Sequence, residues 1–172
     1  MREDREAVTT VPHVDLDRYL GTWFEICRLP LRWEDATASD ITATYSRGGT
    51  GAILVDNRCL DAGGAPRRAL GEATPSDASN ARLRVSFLPD YLRWVPFTKG
   101  DYWVLSLDAA YETALVGTPD RKHLWLLARE PEMDSREVNR MLDVARGQGF
   151  DLSALIHPRQ SGRRVSDEML GQ

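Results

Sequence analysis

The strongest constraint on the fold is a series of eight short strand-like segments with no helical pattern between them. They are rich in Val, Ile, Leu, Thr and aromatic residues, and most are separated by Gly, Pro, Asp, Asn or Ser. Such segments at short spacing are typical of antiparallel strands joined by turns. The sequence therefore predicts an all-β meander between Thr22 and about Ala128, closed as a sandwich or as a barrel. In order, the segments read TWFEICRL, DITATYS, AILVDNRCL, RALGEAT, ARLRVSFL, DYWVLSLD, TALVG and HLWLLAR.

The hydrophobic period changes after these segments. Apolar residues recur at helical spacing from Val138 to Ala145, which predicts a helix over residues 135–147 with one apolar face. Asp134 and Glu137 have the spacing of a capping box at its start. Because only one stripe is apolar, we expect the helix to cover an outer face of the sheet.

Length and charge exclude several classes of protein. A chain of 172 residues, with 42% hydrophobic and 28% charged residues, is typical of one globular domain. The net charge of −4 gives no support for nucleic-acid binding, and no apolar run is long enough for a membrane-spanning helix. Two cysteines and three scattered histidines provide neither a disulfide framework nor metal-ligand spacing. We therefore expect no metal and no cofactor.

The chain divides into three parts. Residues 1–11 are expected to be a flexible N-terminal segment, 12–158 the folded domain, and 159–172 a polar, loosely held tail. The N-terminal segment is charged and contains neither an apolar stretch nor a cysteine. As given, it is therefore not expected to act as a secretory signal or to carry a lipid.

Three segments resemble the sequence motifs of the lipocalin family. YLGTWFEICRLP is similar to the first motif, Gly-x-Trp followed by an aromatic residue and Glu-Ile. LDAAYETALVGTPD is similar to the second motif, and LWLLAREP is similar to the third, with Arg129 as its arginine. The segments GEATP and RWVPFTKGDYWVLSLD add to the likeness. It covers about residues 12–158 and is closest to the bacterial outer-membrane lipoprotein type, relatives of apolipoprotein D.

The resemblance implies an eight-stranded up-and-down antiparallel β-barrel, closed at one end, with one C-terminal α-helix packed outside. Gly21, Trp23 and Arg129 would be structural residues of the closed end. Gly21 permits the tight turn into the first strand, Trp23 plugs the barrel, and Arg129 lies across the indole ring. The bacterial members are typically outer-membrane lipoproteins, whereas the chain as given shows no signal peptide and no lipid-bearing cysteine. We therefore expect it, as given, to be soluble.

The resemblance also implies a function. The protein would bind and carry a small hydrophobic ligand, expected to be a fatty acid or a lysophospholipid, with a role in membrane lipid storage or maintenance. It would act without catalysis, as a monomer or weak homodimer, and without nucleic acid. Two alternatives remain open: an enzyme that acts on an apolar, lipid-like substrate through Cys27 or Cys59, and a haem or pigment carrier with His123 as an axial ligand.

Side-chain alternation, combined with the family pattern, predicts which residues line the cavity. Because Arg129 must face inward, Leu127 and Trp125 share its face. Most of the candidates are apolar, which suits a lipid-like ligand with one polar end. The predicted ligand-binding residues are Tyr45, Val55, Asn57, Leu83, Val85, Phe87, Tyr102, Val104, Trp125 and Leu127.

The loops after the first and fifth strands are expected at the open mouth of the barrel. Their aromatic side chains stand next to basic ones, a combination that suits lipid headgroups or the anionic end of a ligand. They would contact a membrane surface or fold over the mouth as a lid. The predicted mouth residues are Arg32, Trp33, Tyr91, Arg93, Trp94, Phe97 and Lys99.

Alternation within the first strand assigns its two faces. Trp23, Glu25 and Cys27 should face the interior, and Phe24 and Ile26 should lie under the helix. A buried Glu25 is expected to be paired for structural reasons. Both cysteines have inward parity, and we expect them to be small, buried and unreactive.

Overall fold

The computed structural model describes residues 6–30, 37–49, 51–88 and 99–171. Within these residues, neither helix is long and apolar enough to cross a membrane. In chain order, the elements are α1 (Leu16–Tyr19), β1 (Gly21–Arg28), β2 (Ser39–Arg47), β3 (Ile53–Leu60), β4 (Pro66–Pro75), β5 (Arg82–Phe87), β6 (Lys99–Leu107), β7 (Thr113–Gly117), β8 (Leu124–Ala128) and α2 (Ser135–Gly147).

The eight strands form one closed antiparallel barrel in the order of the chain. Each strand pairs with the next, and β1 closes the barrel by pairing with β8. Closure satisfies the backbone groups that an open sheet would leave at its edges. The predicted eight-stranded up-and-down barrel with one C-terminal helix outside it is confirmed.

A β-bulge in β1 changes which residues face the interior. Glu25 and Cys27 pair with consecutive residues of β8, so Ile26 is an extra residue in the strand. Beyond the bulge the alternation is inverted. Arg28, opposite Trp125, faces the interior, and Cys27 faces outward. The prediction that Cys27 lines the interior is therefore wrong.

The helix α2 covers one outer side of the barrel. Its buried residues are Met141, Leu142 and Ala145, and they form a core cluster with Cys27 and with apolar residues of β6, β7 and β8. Phe24 is buried but is not part of this cluster. The predicted packing of Phe24 on the helix is wrong, because the bulge presents Cys27 there instead.

The start of α2 is capped by one side chain. Asp134 accepts a hydrogen bond from the backbone N–H of Arg136 at 2.8 Å, which satisfies one of the free donors of the first turn. Glu137 does not reach back to complete a capping box. Its carboxylate accepts from Arg140 at 2.9 Å and from the Thr113 hydroxyl at 3.4 Å, which joins the helix to β7.

The N-terminal segment is packed against the barrel over its described residues. Val8 is buried, and the backbone N–H of Val11 donates to a carbonyl of β6 at 3.0 Å. From residue 6 onward the segment thus contacts the barrel, and its flexibility stays a prediction.

The C-terminal tail is also held on the barrel wall. The Gln160 amide donates to one carbonyl of β1 and one of β2, each at 2.9 Å. The Ser161 hydroxyl and backbone N–H both bind the carboxylate of Asp40. Arg58 donates to the carbonyl of the buried Val165 at 3.0 Å. The tail is polar, as predicted, but its side chains fix it in place.

Candidate functional site

The closed end of the barrel is built around Trp23. This residue is fully buried, and its indole N–H donates to the carbonyl of Tyr19 at 2.9 Å. The guanidinium carbon of Arg129 lies 3.8 Å from the centroid of the indole ring, which is a close cation–π contact. Gly21 has φ +104°, and a Cβ atom at this position would stand 3.1 Å from Nη1 of Arg129. Glycine is thus required there both by the backbone and by the close approach of the guanidinium.

The donors of Arg129 are used within the protein. Its Nε donates to the carbonyl of Tyr111 at 3.0 Å, and Nη1 donates to the carbonyl of Leu20 at 3.0 Å. Nη2 donates to the carbonyl of Arg18 at 2.9 Å. These bonds tie the segment before β1 to the turn before β7, so the closed end is held by groups that have no capacity left for a ligand.

Above the closed end, the barrel encloses a cavity. Its volume is about 170 Å³. A single water needs only roughly 10–15 Å³ on the same measure. All ten residues predicted to bind the ligand line this cavity, from Tyr45 to Leu127. Much of the wall is apolar and buried, as at Val55 and Val104.

Three tyrosine hydroxyls meet at the floor of the cavity. Oη of Tyr19 is 2.6 Å from Oη of Tyr102, which donates to Oη of Tyr45 at 3.0 Å. Burial raises the pKa of Tyr45 to about 12 and the pKa values of the other two well above their usual value. The hydroxyls are therefore neutral at physiological pH. Tyr19, the last residue of α1, was not among the predicted lining residues because it precedes the first strand.

The family follows from a comparison of the sequence with known domains. A family model described as a lipocalin-like domain matches residues 14–160. The chain belongs to the lipocalin family. Lipocalins bind and transport small hydrophobic ligands rather than catalyse reactions, and an enclosed barrel cavity is where such a ligand would lie.

Individual relatives agree with this assignment. The lipocalin is 37% identical over 161 residues to the outer membrane lipoprotein Blc of Escherichia coli K12, a match that covers 90% of this chain and 84% of the relative. It is 29% identical over 150 residues to apolipoprotein D of Bos taurus, over 82% of this chain and 74% of the relative. The solved structure of apocrustacyanin C1 matches with a TM-score of 0.70 at 10% identity, over 92% and 86% of the two chains. The predicted kinship with both the bacterial lipoproteins and apolipoprotein D is confirmed.

An ion pair is buried in the interior of the lipocalin. The Glu25 carboxylate, which lines the cavity, accepts from Nη1 of Arg28 at 2.9 Å, and both side chains are almost fully buried. The backbone of Arg28 is fixed from outside, because its N–H and C=O both bond to Ile156, at 2.9 and 2.8 Å. Strict alternation along β1 would place Arg28 on the outer face of the barrel, so the sequence did not predict this ion pair.

Asn57 supplies a polar group to the cavity wall. It stands on β3 between Ala43 of β2 and Ala69 of β4, whose small side chains leave room around it. Its Oδ1 is buried and has no hydrogen-bond partner among the described residues. An amide oxygen in this position is available to a ligand.

Most of the residues predicted at the mouth fall outside the part of the chain that the structure describes. Six of the predicted mouth residues (Arg32, Trp33, Tyr91, Arg93, Trp94 and Phe97) lie outside the described residues. Lys99 begins β6, and its side chain is not described. A further cation on the described wall is Arg67, which lines the cavity and pairs with Asp61 at 2.9 Å.

The cysteines and His123 bear on the two alternative functions. Cys27 lies outside the cavity, and burial raises its pKa to about 12, which disfavours a thiolate nucleophile. Cys59 does line the cavity. His123 is not among the residues that line it; its ring stacks on Trp125 with centroids 6.0 Å apart, and burial lowers its pKa. The geometry thus favours neither a Cys27 enzyme nor a haem ligated by His123.

Proposed function

We propose that this lipocalin binds and carries a fatty acid or a lysophospholipid, serves membrane lipid storage or maintenance, and has no catalytic activity. The observation that carries the proposal is the barrel cavity above the tyrosine floor, whose wall is largely apolar. An acyl chain fits such a wall because it gains free energy from burial alone along its length.

The acyl chain runs along the barrel axis, with the charged headgroup at the mouth. Burial of each methylene contributes about 0.8 kcal/mol, so a long chain gains on the order of 10 kcal/mol. The loss of translational and chain freedom reduces this gain to about −8 kcal/mol, which corresponds to micromolar affinity. Arg67 and the basic residues of the mouth loops add little, because solvent and salt screen them. The proposed ligand-binding residues are Tyr45, Val55, Asn57, Leu83, Val85, Phe87, Tyr102, Val104, Trp125 and Leu127.

The membrane role is supported by the relatives. The Escherichia coli relative carries the name outer membrane lipoprotein, and the mouth loops combine aromatic and basic residues in a pattern suited to a lipid surface. We propose that the lipocalin, as a monomer or weak dimer, exchanges its ligand with a membrane through these loops.

A chain-length series tests the proposal. Delipidated protein is titrated with decanoate, laurate, myristate and palmitate, and the change in tryptophan fluorescence is followed. Each added pair of methylenes should tighten Kd by up to about fifteenfold until the cavity is full, because burial of the chain is the main source of affinity. The Trp125→Phe variant should bind with similar affinity but with a smaller signal. Affinity that is independent of chain length, or that collapses in moderate salt, would place the ligand at the surface and overturn the proposal.

A further inference from the structure

The three tyrosine hydroxyls at the floor of the cavity have one hydrogen more than they use among themselves. Each hydroxyl carries a single proton. Tyr102 donates its proton to Tyr45 at 3.0 Å. The contact between Tyr19 and Tyr102, at 2.6 Å, must therefore use the proton of Tyr19. The proton of Tyr45 is left over.

No group in the described part of the chain is placed to accept this proton. The cross-strand neighbours of Tyr45 are Gly21 and Val55, whose side chains have no acceptor. The carboxylate of Glu25, which also lines the cavity, is bound to Arg28. Tyr45 is only 7% exposed, and its ring is enclosed by those of Tyr19 and Tyr102, with centroid distances of 5.7 and 5.9 Å.

The free O–H of Tyr45 determines which chemical group the buried end of a ligand should carry. A plain methyl end packed on the floor would displace water from the Tyr45 hydroxyl and offer no acceptor in return, which costs affinity. An oxygen atom at that end restores the bond. A site built to hydrogen-bond a ligand oxygen also discriminates strongly against the analogue that lacks it.

We propose that the ligand is an oxygenated acyl lipid, whose buried end carries a hydroxyl, ether or carbonyl oxygen that accepts the O–H of Tyr45. The inference rests on the proposed lipid-binding function and narrows it: the charged headgroup stays at the mouth, and a second, uncharged polar group reaches the floor. In the directed chain of hydrogen bonds, Tyr19 to Tyr102 to Tyr45 to ligand, each bond polarises the next, which strengthens the donor that Tyr45 offers to that oxygen.

The test compares saturated fatty acids with their ω-hydroxy and ω-methoxy analogues at several chain lengths. At the length that reaches the floor, the oxygenated chains should bind wild-type protein about five- to tenfold more tightly than their saturated parents. Tyr45→Phe should weaken this preference, because the donor left free is then the hydroxyl of Tyr102, which lies 3.0 Å from the position that Tyr45 Oη occupied. Tyr19→Phe is the matched control: it removes a hydroxyl from the same floor but leaves the proton of Tyr45 free, so the preference should persist. Circular dichroism verifies that both variants fold.

A measurement on the wild-type protein alone covers the case in which Tyr45→Phe does not fold. A chain with a ¹³C-labelled ketone near its methyl end should show, when bound, a carbonyl stretch shifted to lower wavenumber than in hexane. An unshifted carbonyl, equal affinity for oxygenated and saturated chains at every length, or an equal loss of preference in the two variants would overturn the inference while leaving the lipid-binding function intact. Failure of every chain to bind the wild-type protein would instead overturn the proposed function itself.

Discussion

The closed end and the cavity of this lipocalin lie next to each other and use polar groups in opposite ways. At the closed end, the N–H groups of the Arg129 guanidinium donate to backbone carbonyls, and the Trp23 N–H donates to a carbonyl as well. In the cavity, the Tyr45 proton and the Oδ1 of Asn57 have no partner among the described residues. Buried polar groups are normally satisfied, so on the cavity wall an unsatisfied group is a candidate for contact with a ligand.

Whether a buried polar group is already hydrogen-bonded separates structural from ligand-binding residues better than its position in the barrel does. Glu25 lines the cavity, yet its carboxylate is bound by Arg28, so we assign it to structure. Asn57 lines the same cavity without such a bond. Substitution of a satisfied group should change the free energy of unfolding, and substitution of an unsatisfied group should change ligand affinity.

The largest expected loss of stability comes from breaking the Glu25–Arg28 ion pair. Arg28→Met removes one member of a buried pair, which typically costs 3–5 kcal/mol, so we expect unfolding by urea to shift by about that amount. The double variant Glu25→Gln with Arg28→Met should recover most of the loss, since it no longer buries a carboxylate without its arginine. A double variant as unstable as the single one would contradict this account of the pair.

The second-largest loss of stability is expected for Arg129→Ala. It removes the cation–π contact with Trp23 and leaves several carbonyls short of a donor, which should cost about 2–4 kcal/mol. Ligand affinity of the folded protein should change by less than about threefold, because the side chain does not enter the cavity. Arg146→Ala is the control: this arginine only pairs with Asp143 on the exposed face of α2, and its loss should cost at most about 0.5 kcal/mol. A large loss of affinity with unchanged stability in Arg129→Ala would assign Arg129 to the ligand site instead.

Asn57→Leu should change the free energy of unfolding less, and in the opposite direction. The two side chains have similar shape, and the substitution removes an amide oxygen that has no partner among the described residues. Stability should stay within about 1 kcal/mol of the wild type or rise, and saturated fatty acids should bind a few-fold more tightly. Urea unfolding and fluorescence titration measure the two quantities. A clear loss of stability would show that the amide holds the barrel together rather than faces the ligand.

The last effect is a pH dependence that appears only in alkali. Burial raises the pKa of Tyr45 to about 12, above the value near 10 that an unfolded chain would show. The folded protein therefore retains a proton that the unfolded chain loses, so this contribution to stability is constant up to about pH 9 and falls between about pH 10 and 12. Urea midpoints measured across this range should decline less in Tyr45→Phe than in the wild type. Identical declines would mean that Tyr45 ionises in the folded protein as it does in the unfolded chain.

Sequence reasoning succeeded where the physics is periodic. Alternating strands and a late amphipathic helix predicted the barrel and α2, and alternation on β2, β3, β5, β6 and β8, combined with the family pattern, put ten residues on the cavity wall. It failed where one residue breaks the period. The extra Ile26 inverts the end of β1, which moves Cys27 outward and Arg28 inward, and a bulge leaves no reliable mark in a single sequence.

Contacts between distant segments were also beyond the sequence. Tyr19 reaches the cavity floor from the segment before β1, and the C-terminal tail is held by side chains such as Gln160 that bond to strands more than a hundred residues away. Such bonds depend on the finished fold, so polar composition alone suggested a loose tail.

The central claim, that an acyl chain lies inside the barrel with its headgroup at the mouth and its far end at the floor, has a direct test. Palmitate brominated near the carboxylate and palmitate brominated near the methyl end are bound to wild-type protein and to Trp125→Phe, and quenching of tryptophan emission is measured. Trp125 lies on the upper wall opposite Arg28, and Trp23 lies below the tyrosine floor. Bromine near the carboxylate should quench the wild type more than Trp125→Phe, whereas bromine near the methyl end should quench both proteins to a similar extent through Trp23. Quenching that does not depend on the position of the bromine, or on Trp125, would contradict the account.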